Sequence, residues 1–446
     1  MRKLLKKLSY TQIIVLSFLL VIIVGTTLLC LPVSSANSTF TPPINAMFTA
    51  TSATCVTGLV VYDTFTHWSL FGQIIIISLI QIGGLGFLLF VSMFSVFLKK
   101  KIGVYERRLL MQAEGNLKLG GAVVLLKRIV KGTFLFEGIG ALILALRFCP
   151  KMGLGKGIYY AIFHSISAFC NAGFDIMGYF KPFSSLTTVA DDPIVMVTIM
   201  SLIVIGGIGF LVWTDIVTLK TNFKKYSLHT KIVLSTTAIL LIVPAILFFM
   251  FEYNGVLKDF SFFDKITNAA FLSVAPRTAG FNTVDLSALK PGSEVITDLL
   301  MLIGGSPGST AGGLKTTTFA VLILSTIATA RHDTHPEIFK RSLSKDALNQ
   351  ATAIFTIYVM VSLIAVIIVS TLEGCDVTTA AFEVISAIGT VGATKGLTPT
   401  LCTASKLIIM GLMFGGRVGG LSLVLSLAEK KENVPLDRPS EKILIG

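Results

Sequence analysis

The sequence predicts an all-α polytopic membrane protein built from four tandem span–loop–span repeats, eight transmembrane helices in all, around one central pseudo-fourfold axis. Three observations predict it. Hydrophobic residues make up 53% of the 446-residue chain and charged residues only 14%, where a soluble chain carries about a quarter, and mean hydropathy is +0.82. Apolar runs of about 20 residues, long enough to cross a ~30 Å hydrocarbon layer, recur throughout. A short motif (a small residue, alanine, four free positions, glycine) occurs four times: Ser52-Ala53 to Gly58, Ser167-Ala168 to Gly173, Val274-Ala275 to Gly280 and Ser386-Ala387 to Gly392. Its glycines lie 115, 107 and 112 residues apart. One copy is common in any apolar chain. Four copies at near-equal spacing, each between similar flanks, mark internal symmetry within one fold rather than a solenoid.

Each unit reads in the same order. Unit one, residues 1–98, opens with a span near Thr11–Leu31, stopped by Pro32 and the Ser-rich Ser34–Thr41. A short amphipathic segment, Pro43–Ala53, leads into the motif, and a second span follows near Leu70–Leu98. Unit two, residues 99–220 with its leading linker, has spans near Ile129–Phe148 and Pro193–Leu219 around the short segment Lys156–Phe169. Unit three, residues 221–330, has spans near Ile232–Phe251 and Glu294–Ala330 around Phe262–Ala275. Unit four, residues 331–446 with a linker and tail, has spans near Ala351–Leu372 and Thr403–Leu427 around Val377–Ile388. At 1.5 Å per residue the short segments cannot cross a bilayer as helices, so they are expected to be re-entrant.

The formal net charge of +13 does not point to nucleic acid, because of where it lies. Basic residues cluster at Arg2, Lys3, Lys6 and Lys7, at Lys99–Lys101, Lys127 and Arg128, at Lys224 and Lys225, at Lys340 and Arg341, and in the tail at Lys430 and Lys431. These segments join units or are termini, whereas Asp63, Asp175, Asp191, Asp192, Asp285 and Glu373 lie at the other ends of the spans. The positive-inside rule puts both termini and the linkers in the cytoplasm. The basic-then-apolar start lacks a convincing small-residue cleavage site and is expected to be a first span. Six cysteines, at 30, 55, 149, 170, 375 and 402, have no metal-ligand spacing and read as small apolar residues.

The re-entrant segments carry the chemistry. Backbone outside a helix is tolerated at membrane depth only where protein buries it or water reaches it. Four such pore loops can meet on the axis, with glycine at each tip supplying left-handed dihedrals that turn carbonyls inward. A ring of carbonyl oxygens replaces the hydration shell of a monovalent cation, and the short helices aim their partly negative C-terminal ends at it. The candidate filter residues are Val56, Thr57 and Gly58; Asn171, Ala172 and Gly173; Thr278, Ala279 and Gly280; and Thr390, Val391 and Gly392. The alternative to a pore is four glycine turns that merely pack.

Each second span also carries a glycine pair. Gly83-Gly84 and Gly206-Gly207 are expected to serve close helix packing. Unit three differs, because Gly304, Gly305, Ser306, Pro307, Gly308, Ser309, Thr310, Ala311, Gly312 and Gly313 hold five glycines and a proline in ten residues. Penalties of ~1 kcal/mol per Gly and ~3 kcal/mol for Pro argue against an intact helix, so this stretch is expected to break near the bilayer centre as a gate or plug, with a merely kinked helix as the alternative. Arg417, about 12 residues or ~18 Å inward from Ser405, lies deep in the last span beside Gly415, Gly416, Gly419 and Gly420. A charge at that depth is functional by default, and it is expected to face the conduction path, with a structural pairing as the alternative. Lys315 is expected to snorkel to the inner surface.

The four glycine-tipped pore loops, the broken 304–313 span and Arg417 together resemble the Trk/Ktr/HKT superfamily of potassium transporters, over essentially the whole chain. Trk-type subunits carry two further N-terminal spans, so the better match within the superfamily is to the membrane subunits of bacterial Ktr systems. The resemblance implies K+ bound at the filter carbonyls, with Na+ as a possible activator, and a gated pore in the bacterial plasma membrane. It also implies a homodimer with one pore per subunit, controlled by a cytosolic ring of KtrA-type nucleotide-binding subunits. Relatives with serine at the first filter glycine tend to pass sodium, whereas this chain has Gly58. The linkers Lys99–Lys127 and Arg331–Gln350 are candidate contacts for the ring.

Two other classes share parts of this pattern. A sodium- or proton-coupled secondary carrier also uses broken helices and repeats, but often inverted ones; here every unit starts on the same side. An intramembrane serine hydrolase would need a histidine near Ser309, and His332 and His335 fall in a linker. The same glycine stretch nearly matches a phosphate-binding loop, but Leu314 stands at the lysine position and no strand precedes it. No enzyme activity or organic cofactor is expected.

Overall fold

The computed structural model describes residues 10–86, 122–220, 222–332 and 336–419. Apart from a two-residue hairpin (Glu337–Ile338 with Arg341–Ser342), these residues form helices and loops. The longer helices, in order, are α1 (Tyr10–Cys30), α2 (Pro43–Thr54), α3 (Leu70–Leu85), α4 (Ala122–Met152), α5 (Leu154–Phe169), α6 (Pro193–Gly207) and α7 (Phe210–Leu219). Then follow α8 (Leu228–Glu252), α9 (Phe262–Val274), α10 (Pro291–Leu302), α11 (Thr316–Ala330), α12 (Lys345–Glu373), α13 (Val377–Gly389) and α14 (Thr403–Val418). The linker 99–121, the tail after 419, His335 and the ends of the spans expected at Leu70–Leu98 and Thr403–Leu427 lie outside the described residues.

Among the described residues four helices, within α1, α4, α8 and α12, are long and apolar enough to cross a membrane, or five spans if α6 and α7 count as one. Each of the four buries only 28–33% of its most apolar window. The rest is an outward face, including Leu20, Ile23, Leu142, Leu146, Ile242 and Ile367, suited to a solvent of acyl chains.

Packing closes on itself. Each long helix lies along the short helix that follows it: α1 on α2, α4 on α5, α8 on α9 and α12 on α13. Each later helix then packs on the short helix of the next unit: α3 on α5, α6 on α9, α10 on α13 and α14 on α2. The last contact returns to the first unit and completes a circle. Capping fixes where elements begin: the hydroxyls of Ser69, Ser227, Ser261 and Ser344 accept N–H groups at the starts of α3, α8, α9 and α12, satisfying donors a helix leaves open.

The second spans depart from expectation. The span near Pro193–Leu219 is not continuous: α6 and α7 meet at 96°, across Gly209 at φ +98°. In units one and four the helix stops at Gly86 (φ +83°) and Gly419 (φ +93°). The glycine pairs do serve close packing. A Cβ on Gly83, Gly206 or Gly416 would collide with the carbonyl of Thr54, Phe169 or Ile388, at the end of the unit's own short helix. The break is made three residues later in each case, by a third glycine.

Candidate functional site

The loops after α2, α5, α9 and α13 share one backbone path. Val56, Asn171, Thr278 and Thr390 take φ of +57°, +58°, +75° and +52°, and two residues later Gly58, Gly173, Gly280 and Gly392 take +98°, +68°, +66° and +94°. The first four are non-glycine residues in the left-handed region, a costly conformation kept where the surroundings over-determine it. A Cβ on Gly58 would stand 2.5 Å from the Ala172 carbonyl oxygen, and one on Gly173 would stand 2.5 Å from that of Ala279. On Gly280 it would be closer still to the Val391 carbonyl, and on Gly392 to that of Thr57. The order 58, 173, 280, 392 and back to 58 is a closed ring. Only glycine fits it.

The first two residues of the motif pin this backbone. Thr57, Ala172, Gly280 and Val391 donate their N–H groups to the carbonyls of Ser52, Ser167, Ala275 and Ser386 at 2.8–3.1 Å. The Ser52 and Ser386 hydroxyls also accept from the Gly58 and Gly392 N–H groups, at 3.1 Å each. Ser167 instead donates to the Phe174 carbonyl at 2.6 Å, and Val274 has no hydroxyl to offer. The side chains of Val56, Thr57, Asn171, Ala172, Thr278, Ala279, Thr390 and Val391 are all buried. Asn171 and Thr278 join loops two and three at 3.2 Å. The hydroxyls of Thr57 and Thr390 are buried without a hydrogen-bond partner.

Outside the ring lies a vestibule of about 370 Å³ lined by all four glycines. The residues two beyond each glycine, Val60, Asp175, Asn282 and Thr394, also line it, with Asp63, Asp285 and Lys395. Asp63 ties loop one to loop two, accepting from the N–H groups of Thr66 (2.8 Å) and Phe183 (2.9 Å). Burial pushes the Asp175 carboxyl up to about 7; the nearby Asp63 charge acts the same way and the Met177 N–H opposes it. Asp175 lies deep in the fold yet keeps part of its surface open to the vestibule. Lys395 is paired with Glu294.

Inside the ring lies the stretch 303–315, which parts α10 from α11. A Cβ on Gly312 would collide with the Thr390 hydroxyl, and one on Gly304 would stand 3.2 Å from the Thr278 methyl, so the stretch sits directly against the inner end of loops three and four. Its polar backbone is shared out. Ser306 and Thr310 donate N–H to the carbonyls of Gly207 (2.9 Å) and Gly206 (3.3 Å), and Gly313 donates to that of Gly416 (3.3 Å). The Thr310 hydroxyl donates to the Phe169 carbonyl at 3.0 Å, and Phe210 N–H donates to the Gly308 carbonyl at 2.7 Å. The half-buried Arg417 guanidinium donates to the Thr310 carbonyl, and to those of Gly83 and Gly84, the last at 2.9 Å. Lys315 does not snorkel away. It turns back onto the carbonyls of Ala311 (2.8 Å) and Gly312 (3.4 Å), nearer acceptors that a helix would have consumed.

Sequence reasoning missed Arg277, which is buried at the base of loop three and reaches the Gly304 carbonyl at 3.5 Å. A charged residue one place before Thr278 was its only signal. It also missed the vestibule, whose lining comes from four separate loops.

The fold and the ring define a class: a multi-pass membrane protein in which four repeated, glycine-tipped loops close into one ring. The chain belongs to the TrkH family, described as cation transport proteins, whose profile matches residues 6–435. It is 40% identical to the potassium/sodium uptake protein NtpJ of Enterococcus hirae over 99% of this chain and 98% of that one. It is also 40% identical to the Ktr system potassium uptake protein B of Bacillus subtilis, over 98% and 96%. The crystal structure of the potassium transporter TrkH from Vibrio parahaemolyticus superposes with a TM-score of 0.71 at 18% identity, covering 92% of this chain and 84% of that one, a likeness of fold.

Proposed function

We propose that the chain forms the conducting subunit of a potassium uptake system: eight spans in four units, around one pore per subunit. K+ sheds its water at the carbonyls of 56–58, 171–173, 278–280 and 390–392. The 303–315 stretch, held by Arg417 and Lys315, is the gate beneath. Both termini face the cytoplasm, where a ring of nucleotide-binding subunits acts on a homodimer and Na+ stimulates uptake. The observation that carries the reading is the closed circle of four glycines, each pressed on the next loop's carbonyl. Relatives named as potassium and potassium/sodium uptake proteins support the choice of ion, and those named for a Ktr system support a partnered assembly.

The test is growth and Rb+ uptake in potassium-requiring cells, with and without Na+, with the chain alone and with a Ktr-type cytosolic subunit. Rescue at low K+, larger with both additions, is the expected result. Failure to rescue at verified membrane expression refutes the ion assignment. Rescue indifferent to Na+ and to the subunit leaves the pore and removes the regulation.

A further inference from the structure

Below the 96° bend, a cavity of about 400 Å³ opens between α4 and α7, within the size range of ligand pockets. Its wall is almost wholly apolar, formed by Ile129, Leu135, Phe136, Ile208, Trp213 and Val217. Arg128 and Lys131 close one rim. They lie one helical turn apart near the start of α4, on the stripe that continues to Leu135. Both are exposed, and no ion pair engages them among the described residues. The neighbouring carboxylate, Asp215, is occupied by the hydroxyls of Ser227 (2.7 Å) and Thr230 (2.6 Å). An apolar slot with two free cations at one mouth is complementary to an amphiphile with a negative head. The basic end of α4 falls on the cytoplasmic side by the positive-inside rule.

The cavity floor is also the bend that carries the 303–315 stretch. Trp213 donates its indole N–H to the Ile205 carbonyl at 2.9 Å, across the break. Gly132 leaves room for it, since a Cβ there would stand 2.9 Å from the indole ring. The ring packs on Phe210, Phe136 and Phe169 at 5.1, 5.3 and 5.7 Å between centroids. Two of those residues hold the stretch through their backbones: Phe210 N–H donates to the Gly308 carbonyl and the Phe169 carbonyl accepts from Thr310.

We propose that this cavity holds an acyl chain of an anionic phospholipid of the inner leaflet, with its head group on Arg128 and Lys131, and that its occupancy braces the α6–α7 bend against the gate stretch. The coupling rests on the gate reading above; the binding site does not.

The test uses the full-length protein in phosphatidylcholine vesicles with and without phosphatidylglycerol, and reads two quantities: phosphatidylglycerol retained in native mass spectrometry, and Rb+ flux. The variants are R128Q/K131Q, which removes the head-group charges, and Leu135→Trp, which fills the slot from its lipid-facing side. Each basic residue at an anionic surface is worth about fivefold in affinity, so the double variant should lose retention by roughly 25-fold. Leu135→Trp should lose it with the charges intact. Wild-type flux should respond to phosphatidylglycerol, and both variants should keep their phosphatidylcholine flux without that response. Undiminished retention in both variants overturns the site. So does a Leu135→Trp variant that retains the lipid but loses its dimer or its cytosolic subunit, since protein then covers the face. Lost retention with an unchanged flux response overturns the coupling alone. If no form passes Rb+ in any lipid, the functional reading fails while retention still decides the site.

Discussion

Replacing Gly58 by serine is the sharpest perturbation of the ring. An L-residue at φ +98° costs about 1–3 kcal/mol. Its Cβ would stand 2.5 Å from the Ala172 carbonyl oxygen and 3.2 Å from the Gly173 Cα. Ordinary contact begins at 3.4 Å, so one carbonyl of the next loop must retreat by roughly 0.9 Å. No rotamer relieves this, because the clash is with Cβ itself. A displaced oxygen weakens the site for the ion whose size matches the ring. If the loss is about 1.4 kcal/mol, discrimination against Na+ falls about tenfold. The assay is competition of Na+ with Rb+ uptake in vesicles, with expression and Tm measured alongside. Gly280→Ala and Gly392→Ala, whose Cβ atoms would lie closer to the facing carbonyls, should be worse and lose uptake. Gly411→Ala, with nothing within 4 Å of its Cβ, should leave preference and uptake unchanged. An unaltered Na+/Rb+ ratio in a well-expressed Gly58→Ser protein refutes the reasoning.

Four further outcomes follow from the same contacts. Because Asp175 titrates near 7 rather than its ordinary 3.8, lowering external pH from 8 to 6 should neutralise it and raise the apparent KM for K+, while Asp175→Asn should be pH-flat with a high KM. Its folded carboxyl binds a proton that the unfolded chain has released, so stability should fall as pH rises from about 4 to 7, and Asp175→Asn should lose that slope in thermal melts. Ser52→Ala and Ser386→Ala each leave a buried glycine N–H unpaired, at about 1–3 kcal/mol, and should lower Tm; Val274→Ala, where that bond never forms, should not show the unpaired-donor penalty. Arg417→Ala removes the ties from the Thr310 carbonyl to those of Gly83 and Gly84 and should raise Rb+ flux without the cytosolic subunit; lower flux at normal expression would make the arginine structural.

The short helices were legible almost to the residue. Pro43–Ala53 became Pro43–Thr54 and Phe262–Ala275 became Phe262–Val274, because each is bounded by a helix-starting residue and a repeated motif. The breaks in the second spans were not legible. Glycine serves there both for close approach, at Gly83, Gly206 and Gly416, and for reversal of φ, at Gly86, Gly209 and Gly419, and composition cannot tell the uses apart. The proline and the density of glycines at 304–313 made the third unit stand out from what is a shared tendency. Lys315 was misread for a related reason: snorkelling assumes that no nearer acceptor exists, and the unwound backbone supplies two. Asp63 and Asp285 each sit five residues after their glycines, but Asp175 sits two and Lys395 three, so the spacing does not mark a common lining and only the folded loops bring them to one vestibule.

The two kinds of helix ending fit together. A helix leaves its last four carbonyls without partners, and at membrane depth little water is present to satisfy them. The ends of α3, α6 and α14 therefore expose acceptors at Gly83, Gly84, Gly206, Gly207 and Gly416. The 303–315 stretch, unwound, brings the complementary donors: the N–H groups of Ser306, Thr310 and Gly313. Arg417 supplies the remainder, reaching the two carbonyls of α3 that the stretch does not. Three truncated helices thus form the socket and the third unit's counterpart forms the key. On the gate reading, the stretch cannot leave its seat in a dry passage, since every departing donor and acceptor must find another partner. Opening then requires water to enter beneath the ring, and under the proposed regulation the energy of that wetting is what the cytosolic subunit supplies.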